Sequence, residues 1–378
     1  MWKLDNSWEQ IEKLIIYGFG RVAKANIDIL LNDFSIIKII DNNDAYKGSI
    51  YKGIPIISLR EYKGQEIGGE KIVVAATGRA LESITNELEC GGWKQGVDYT
   101  DISTFLGEWY LRFKGKLSIG RVAHSITQKC TFRCKDCQIL IPYIKEQKHF
   151  DLAILKKDID LFFGVVDFVS DFDIMGGETF LYPNLLQYLE YLLSNYKDKI
   201  GNIQLVTNAS IVPGKDVLTY ISDKGIKVRI SDYSNEIPYK EKIEKFVNEL
   251  EFYNISYDRF EEMQWTMFGY PYGERIVEDN KEIMQKHMKK CNGGMSKSLQ
   301  NGKLYYCNTA GGACGNMGYK LDKSDYIDLA ELSHTSIDDK NKIWRYCMGE
   351  MENGAMKICG YCRGYADERI IPAGVQLK

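Results

Sequence analysis

Arg121-Val-Ala-His-Ser-Ile-Thr127-Gln-Lys-Cys130-Thr-Phe-Arg-Cys134-Lys-Asp-Cys137 is the stretch from which the rest of the chain is read. Residues 121–127 are strand-like, and the loop that follows carries three cysteines at C-x3-C-x2-C spacing. Three thiolates so close can wrap one corner of a cubane iron–sulfur cluster, leaving one iron open to another ligand. The other reading of the spacing alone is a zinc site completed by a distant fourth ligand.

Working outward, strand and helix patterns alternate. Asp151 is placed as an N-cap before apolar residues Leu152, Leu155, Ile159, Phe162 and Phe163, a helical spacing stopped by Gly164. Residues 165–175 read as a strand and 183–196 as a helix carrying Leu185, Leu186, Leu189, Leu192 and Leu193. Two more strands are expected at 202–206 and 226–230, with a helix between them, and a solvated helix at 239–250. Repeated units of this kind build a parallel sheet, open or closed into a barrel, with its active site at the C-terminal strand ends. Met175-Gly176-Gly177-Glu178-Thr179 falls at such an end. There a glycine pair lets a ligand approach the backbone, and Glu178 offers a carboxylate to an ammonium group.

Composition sets the frame. The 378 residues predict two or three domains, and 44% apolar with 27% charged residues is ordinary globular usage. A net charge of −3 argues against nucleic acid as a partner. Neither a signal peptide nor an apolar stretch of about 18 residues is found, which predicts a cytoplasmic chain without a membrane partner. Ten cysteines in a reducing compartment are read as metal ligands before disulfides.

Together, the C-x3-C-x2-C loop after one strand and Gly-Gly-Glu after the next resemble the radical S-adenosylmethionine (radical SAM) enzymes. The resemblance spans about residues 120–260 and implies that Cys130, Cys134 and Cys137 hold a four-iron four-sulfur (4Fe-4S) cluster. It also implies that Gly176, Gly177 and Glu178 line the site for the methionine end of the cofactor. Thr207-Asn208-Ala209 is similar to the family's Thr-Asn-Gly segment, with Ala209 in place of glycine, and Ser231 sits at the following strand end, where S-adenosylmethionine or substrate is expected. Asp136 departs from the aromatic residue that many members carry before the third cysteine.

Six cysteines follow residue 290. Cys291 and Cys307 flank a C-x10-G-x4-C unit, read as a hairpin across Asn301-Gly302, and Cys359-Gly-Tyr-Cys362 adds a chelating pair. Two pairs of thiolates suit a structural zinc or a fully ligated cluster, and spacing does not choose. Downstream of a radical SAM core, the arrangement resembles the auxiliary-cluster extensions called SPASM and twitch. No cysteine follows Cys362, so the shorter twitch type is expected, with a second 4Fe-4S cluster on Cys291, Cys307, Cys359 and Cys362 and with Cys314 or Cys347 able to replace one of them. Cys314 and Cys347 are otherwise candidate hydrogen donors or simply buried apolar residues.

Upstream, residues 14–17 form an apolar run ending at Gly18-Phe19-Gly20, followed by a helical pattern and a second strand ending at Asp41. With Ala23 in place of a third glycine, the order is that of a dinucleotide-binding unit, in which backbone N–H groups cradle phosphate and Asp41 accepts a ribose hydroxyl. The unit resembles small Rossmann-like domains attached to sugar-modifying enzymes, which implies a nucleotide or nucleotide-sugar, or a docking or purely structural role.

The expected architecture is α/β: a Rossmann-like doubly wound sheet over residues 1–108, a partial (β/α)6 radical SAM barrel over 120–285, and a cysteine-rich, twitch-like domain over 286–378. The favoured function is dehydrogenation or epimerisation of a small polar substrate, sugar- or nucleotide-linked, with flavodoxin or ferredoxin as electron donor. Peptide modification is the second reading, and a zinc-stapled nucleotide-binding scaffold without redox chemistry is the third. The aromatic run at 265–272 is read as a substrate lid or as core packing.

Overall fold

A computed structural model describes every residue except 1–2, 64–69, 262–263, 267–277, 292–293, 295, 314–318, 352–354, 363–369 and 378. The chain divides into two units, Met1–Ile119 and Gly120–Lys378.

In the first unit the apolar run becomes β1 (Lys13–Tyr17), followed by α1 (Arg21–Asp33), β2 (Ser35–Ile40), β3 (Ile50–Tyr51), β4 (Ile54–Ile57), α2 (Leu59–Lys63), β5 (Lys71–Val74), α3 (Gly78–Cys90) and β6 (Tyr99–Asp101). The sheet order is β3-β4-β2-β1-β5-β6. All pairings are parallel except β3–β4. Successive residues of β1 enter opposite cores: Leu14 and Ile16 pack with α1 residues Ala23, Ile27 and Leu30, whereas Ile15 and Tyr17 pack with Leu59, Tyr62 and Leu88. A strand buried on both faces has to be apolar throughout, which is why β1 reads as a continuous hydrophobic run.

The unit extends beyond the expected boundary at 108. The short helices α4 (Ile102–Thr104) and α5 (Tyr110–Lys114), joined by a π-helical turn at Phe105–Trp109, bury Phe105, Trp109 and Tyr110 against Trp8 and Phe34. Phe34 and Trp109 meet edge to face at 4.6 Å. Buried Glu108 accepts the amides of Lys3 and Leu4, both at 2.8 Å. This aromatic cluster and the buried carboxylate moor the segment to the first unit.

The second unit opens with β7 (Ser118–Thr127) and continues α6 (Leu152–Val165), β8 (Phe168–Gly176), α7 (Leu185–Tyr196), β9 (Ile200–Thr207), α8 (Lys215–Asp223), β10 (Lys227–Ser231), α9 (Lys240–Phe252) and β11 (Tyr257–Phe260). Then come β12 (Gln264–Thr266), α10 (Lys281–Lys290), β13 (Lys297–Gln300), β14 (Lys303–Tyr305), α11 (Asn308–Ala313), β15 (Tyr326–Asp328), α12 (Ile337–Cys347) and β16 (Ile370–Pro372). One sheet runs β11-β10-β9-β8-β7-β13-β14-β15, and β12 pairs with β16 apart from it.

The sixth parallel strand therefore differs from the expected one. It is β13, drawn from the cysteine-rich segment and laid parallel to β7, rather than a strand following β11. Because β13 is hydrogen-bonded into the central sheet, residues 286–378 form one unit with the strands before them. The expected boundary at 285 does not separate compact bodies.

The hairpin across Asn301-Gly302 is present, pairing Gln300 with Lys303, with φ of +52° and +69° at the two turn residues. Such angles define the tight turn that suits the twist of paired strands. Buried Asp158 on α6 accepts both turn amides, from Asn301 at 2.9 Å and Gly302 at 2.6 Å. Its second neighbour is His124, whose Nε2 lies 3.4 Å away and whose Nδ1 meets the Tyr188 hydroxyl at 2.8 Å. No helix among the described residues is long and apolar enough to cross a membrane.

Candidate iron–sulfur and cofactor site

Three strand ends meet in the second unit. The loop after β7 carries Cys130, Cys134 and Cys137, the segment after β8 is Gly177-Glu178, and the segment after β9 is Asn208-Ala209-Ser210. Gly177 N donates to Thr127 O at 2.9 Å and Glu178 N to Lys129 O at 2.8 Å, so the Gly-Gly-Glu segment is zipped to the root of the cysteine loop. A Cβ on Gly176 would lie 2.5 Å from Thr127 O, and one on Gly177 would lie 2.2 Å from Lys129 O and 2.8 Å from the Cys130 Cβ. The glycines are needed for close backbone approach. The approaching backbone is that of Thr127 and Lys129 at the root of the cysteine loop.

Glu178 lies at the junction of the β8 and β9 ends. Its carboxylate is fully buried and accepts Thr207 Oγ1 at 2.8 Å, Asn208 N at 2.8 Å and Phe180 N at 3.0 Å. Burial raises its pKa, and the three donors oppose that shift. The acid expected to receive a ligand ammonium orders the Thr-Asn segment with three of its acceptor positions. Thr207 Oγ1 in turn accepts Ala209 N at 2.9 Å, and Ala209 takes φ +57°, the left-handed conformation that glycine adopts without cost.

Asn208 turns its amide toward the cysteine loop, donating to Thr131 Oγ1 at 3.1 Å with Cys130 Sγ at 3.8 Å. Ser210 Oγ meets Thr131 Oγ1 at 2.6 Å. Phe132 packs edge-on against Tyr239 at 4.9 Å, and the Tyr239 hydroxyl donates to Asn208 O at 3.0 Å. Ser231 is buried and hydrogen-bonds Tyr233.

The surroundings of the three thiols bear on what they can hold. Burial pushes Cys130 to about 12 and Cys134 to about 11, and it raises Cys137 as well. Against burial stand N–H donors aimed at sulfur: the Phe132 amide on Cys130, the Gln376 side chain on Cys134, and the amides of Ile139, Leu140 and Ile141 around Cys137. Thiols that sense one another's charge and are ringed by N–H donors have the environment of cluster ligands, whose sulfurs are deprotonated and tuned by such bonds. The donor set fits an iron–sulfur cluster. Among the described residues no three His, Cys, Asp or Glu side chains are arranged around a single metal ion.

A second gathering of sulfur lies in the same unit. Cys291, Cys307, Cys359 and Cys362 line one hollow with Met288, Tyr306, Thr309, Met356 and Ile358. They reach it from the end of α10, the turn after β14 and the segment around residue 360. Burial raises Cys307 to about 11 and raises Cys359 further, and thiol neighbours add to both shifts. Ala310 N points at Cys307 Sγ at 3.4 Å, and the buried Thr309 hydroxyl has no hydrogen-bond partner among the described residues. An all-sulfur donor set with a spare hydroxyl inside the hollow also fits a cluster. Cys347, on α12, is not among the lining residues; burial raises it to about 11, with Lys297 opposing. Cys314 lies outside the described residues.

Buried Lys297 was not singled out in the sequence. Its ammonium stands over the Tyr306 ring at 4.0 Å and donates to Gly294 O. Burial lowers its pKa, and Cys347, Cys307 and Cys291 oppose that shift.

A polar sheet face was also missed. Arg121 on β7 bonds Asp171 at 2.7 Å and lies 3.7 Å from Asp173, and Arg229 approaches Asp173 at 4.0 Å. Asn202 and Gln204 reach Asp171 at 3.1 and 3.3 Å, leaving the buried Gln204 Oε1 without a partner. The signal was available, because Asp171 and Asp173 alternate with Phe172 and Ile174 along one strand.

In the first unit, Gly18 takes φ +100°, and a Cβ there would lie 3.1 Å from Ala75 O, while the space beside Gly20 is open. Asp41, expected to accept a ribose hydroxyl, accepts Phe19 N at 2.7 Å and Asn43 N at 2.8 Å. It pins the glycine turn from within, using one of the amides expected to cradle phosphate. Trp265 is the described start of the aromatic run and meets the Tyr233 ring at 5.4 Å; residues 267–272 lie outside the described part.

No family model and no curated protein sequence matches the chain. Among solved structures it is similar to BtrN in complex with AdoMet and 2-DOIA, at 14% identity and TM-score 0.39 over 65% of this chain and 93% of that one. It is also similar to anSMEcpe with bound AdoMet and Cp18Cys peptide, at 12% identity and TM-score 0.40 over 66% and 94% of the two chains. Streptococcus suis SuiB bound to precursor peptide SuiA is a third, at 13% identity and TM-score 0.32 over 74% of each chain. At these identities and TM-scores the likeness carries no argument about what this chain does.

Proposed function

We propose that this protein is a radical SAM enzyme carrying a second, auxiliary 4Fe-4S cluster of twitch type. The reading rests on one observation: three strand ends join the C-x3-C-x2-C loop, Gly-Gly-Glu and Thr-Asn into a single hydrogen-bonded assembly. Cys130, Cys134 and Cys137 would hold the first cluster, and Cys291, Cys307, Cys359 and Cys362 the second. When bound, the first cluster supplies one electron for reductive cleavage of S-adenosylmethionine, from which a hydrogen-abstracting 5′-deoxyadenosyl radical arises. Gly176 and Gly177 let the cofactor-side segment lie flat on the cysteine loop, and Glu178 holds Thr207 and Asn208 beside it. The charged face of Arg121, Asp171, Asp173 and Arg229 favours a small polar substrate, sugar- or nucleotide-linked, undergoing dehydrogenation or epimerisation. A flavodoxin or ferredoxin would deliver the electron. In the first unit Gly18, Gly20 and Asp41 would hold a nucleotide or nucleotide-sugar, with Asp41 also accepting the Phe19 and Asn43 amides.

Anaerobic reconstitution followed by assay of iron, zinc, acid-labile sulfide and 5′-deoxyadenosine tests the proposal. About eight irons per chain with matching sulfide and reductant-dependent 5′-deoxyadenosine are expected. Zinc without sulfide would overturn the reading.

A further inference from the structure

We propose that residues 373–377 are a working part of the cysteine loop, and that Gln376 is a positioning residue that sets the electronic character of Cys134. This rests on the cluster reading above. The segment runs antiparallel to the loop, with Cys134 and Gln376 forming an isolated bridge. Lys135 N donates to Val375 O at 2.7 Å, and Leu377 N to Arg133 O at 2.8 Å. The Gln376 side chain then uses both ends of its amide. Its Oε1 accepts Arg133 N at 2.7 Å, and its Nε2 donates to Cys134 Sγ at 3.2 Å and to Gly374 O at 2.6 Å.

Three features make this more than a packing contact. A cysteine loop shaped to offer sulfur has backbone groups without helical or sheet partners, and here a segment more than 230 residues away in sequence satisfies the Lys135 amide and the Arg133 carbonyl from its backbone and the Arg133 amide from a side chain. The segment itself is tightly seated: Gly374 has φ +91°, and a Cβ there would lie 2.7 Å from the Cβ of Tyr233, two residues beyond β10. Finally, Cys134 is the buried member of the three thiols, with 6% of its surface exposed, so a donor at its sulfur acts with little competition from water. A hydrogen bond to a ligating sulfur withdraws charge and stabilises the reduced form of a cluster, raising its potential. Gln376 thus supplies a side-chain N–H at 3.2 Å from Cys134 Sγ, closer than the Asn208 Nδ2 donor that stands 3.8 Å from Cys130 Sγ.

The test compares wild type with Gln376→Met, which has neither amide group, and Gln376→Glu, which keeps the oxygen that accepts Arg133 N but has no N–H. In the metal-free chain, hydrogen exchange at the Arg133 amide should be about tenfold faster in Gln376→Met and close to wild type in Gln376→Glu. In reconstituted protein, both variants should keep the iron and sulfide of wild type, and the potential of the cluster on Cys130, Cys134 and Cys137 should fall in both. Unchanged Arg133 exchange in Gln376→Met would overturn the contact. Faster exchange with an unmoved potential would overturn the role at sulfur. Faster exchange in a chain that takes up no iron or sulfide would support the strap and instead sink the cluster reading.

Discussion

Replacing Gly177 by Ala probes the junction on which the site depends. A Cβ there would lie 2.2 Å from Lys129 O and 2.6 Å from Lys129 C, where ordinary contact begins at 3.4 Å, so the two backbones must part by about 1.2 Å. The obstacle is main chain, which has no rotamer by which to give way. It is also fastened on both sides of the clash, by Gly177 N to Thr127 O and Glu178 N to Lys129 O. Overpacking of this kind costs about 1–3 kcal/mol. Breaking the two flanking hydrogen bonds adds about 1 kcal/mol each, giving about 3–5 kcal/mol in all. For a unit of this size that lowers the melting temperature by roughly 10 °C. The assay is urea unfolding of the metal-free chain followed by circular dichroism, with iron uptake measured afterwards. Gly120→Ala is the control, because nothing lies within 4 Å of its Cβ, and a change within about 0.5 kcal/mol is expected there. Gly177→Ala should bind about four fewer irons, since Cys130 sits next to the displaced carbonyl. Wild-type stability and iron content in Gly177→Ala would refute the argument that these strand ends are in obligatory contact.

Four further outcomes are expected. Replacing Cys130, Cys134 and Cys137 together by Ala should abolish 5′-deoxyadenosine in a chain that keeps its circular dichroism spectrum; undiminished product would remove the site. Cys291→Ala should lower iron by about four per chain while Cys347→Ala leaves it unchanged, and the opposite pattern would exchange their assignments. Asp158→Ala should cost about 2–4 kcal/mol in urea unfolding, because it strands the buried amides of Asn301 and Gly302. His149, hydrogen-bonded to Thr127 Oγ1 at 2.9 Å, has its pKa lowered by burial and then by Lys129. The unfolded chain therefore binds its proton more readily, so stability is full above the unfolded value of 6.5 and is lost as pH falls below it. Urea midpoints at pH 7.5 and pH 5.5 should converge in His149→Gln relative to wild type, and an equal gap in both proteins would count against His149.

How far the sequence could be read depended on whether a residue's role was local. The alternation of strands and helices, the two-faced β1 and the Asn301-Gly302 hairpin were legible because each follows from period, burial or backbone conformation within a few residues. The hairpin between Cys291 and Cys307 was legible from spacing, whereas joining these two to Cys359 and Cys362, with which they line one hollow, came only from the resemblance. Partner choice was not legible. A carboxylate beside a glycine turn reads the same whether it faces a ribose or, as Asp41 does, the amide of Phe19. Glu178 reads as a ligand acceptor, and its contacts to Thr207 and Asn208 could not be read from its neighbours in sequence. Ala209, an apparent departure from glycine, keeps the left-handed conformation that the segment requires, so the change in residue type left the backbone path intact. Long-range pairings were not legible for the same reason, since β13 joins β7 and the rings of Phe105 and Trp109 join Trp8 through contacts no local window contains. Gln376 is the limiting case: its neighbours in sequence give no sign of sulfur, and its meaning comes wholly from Cys134 across the loop.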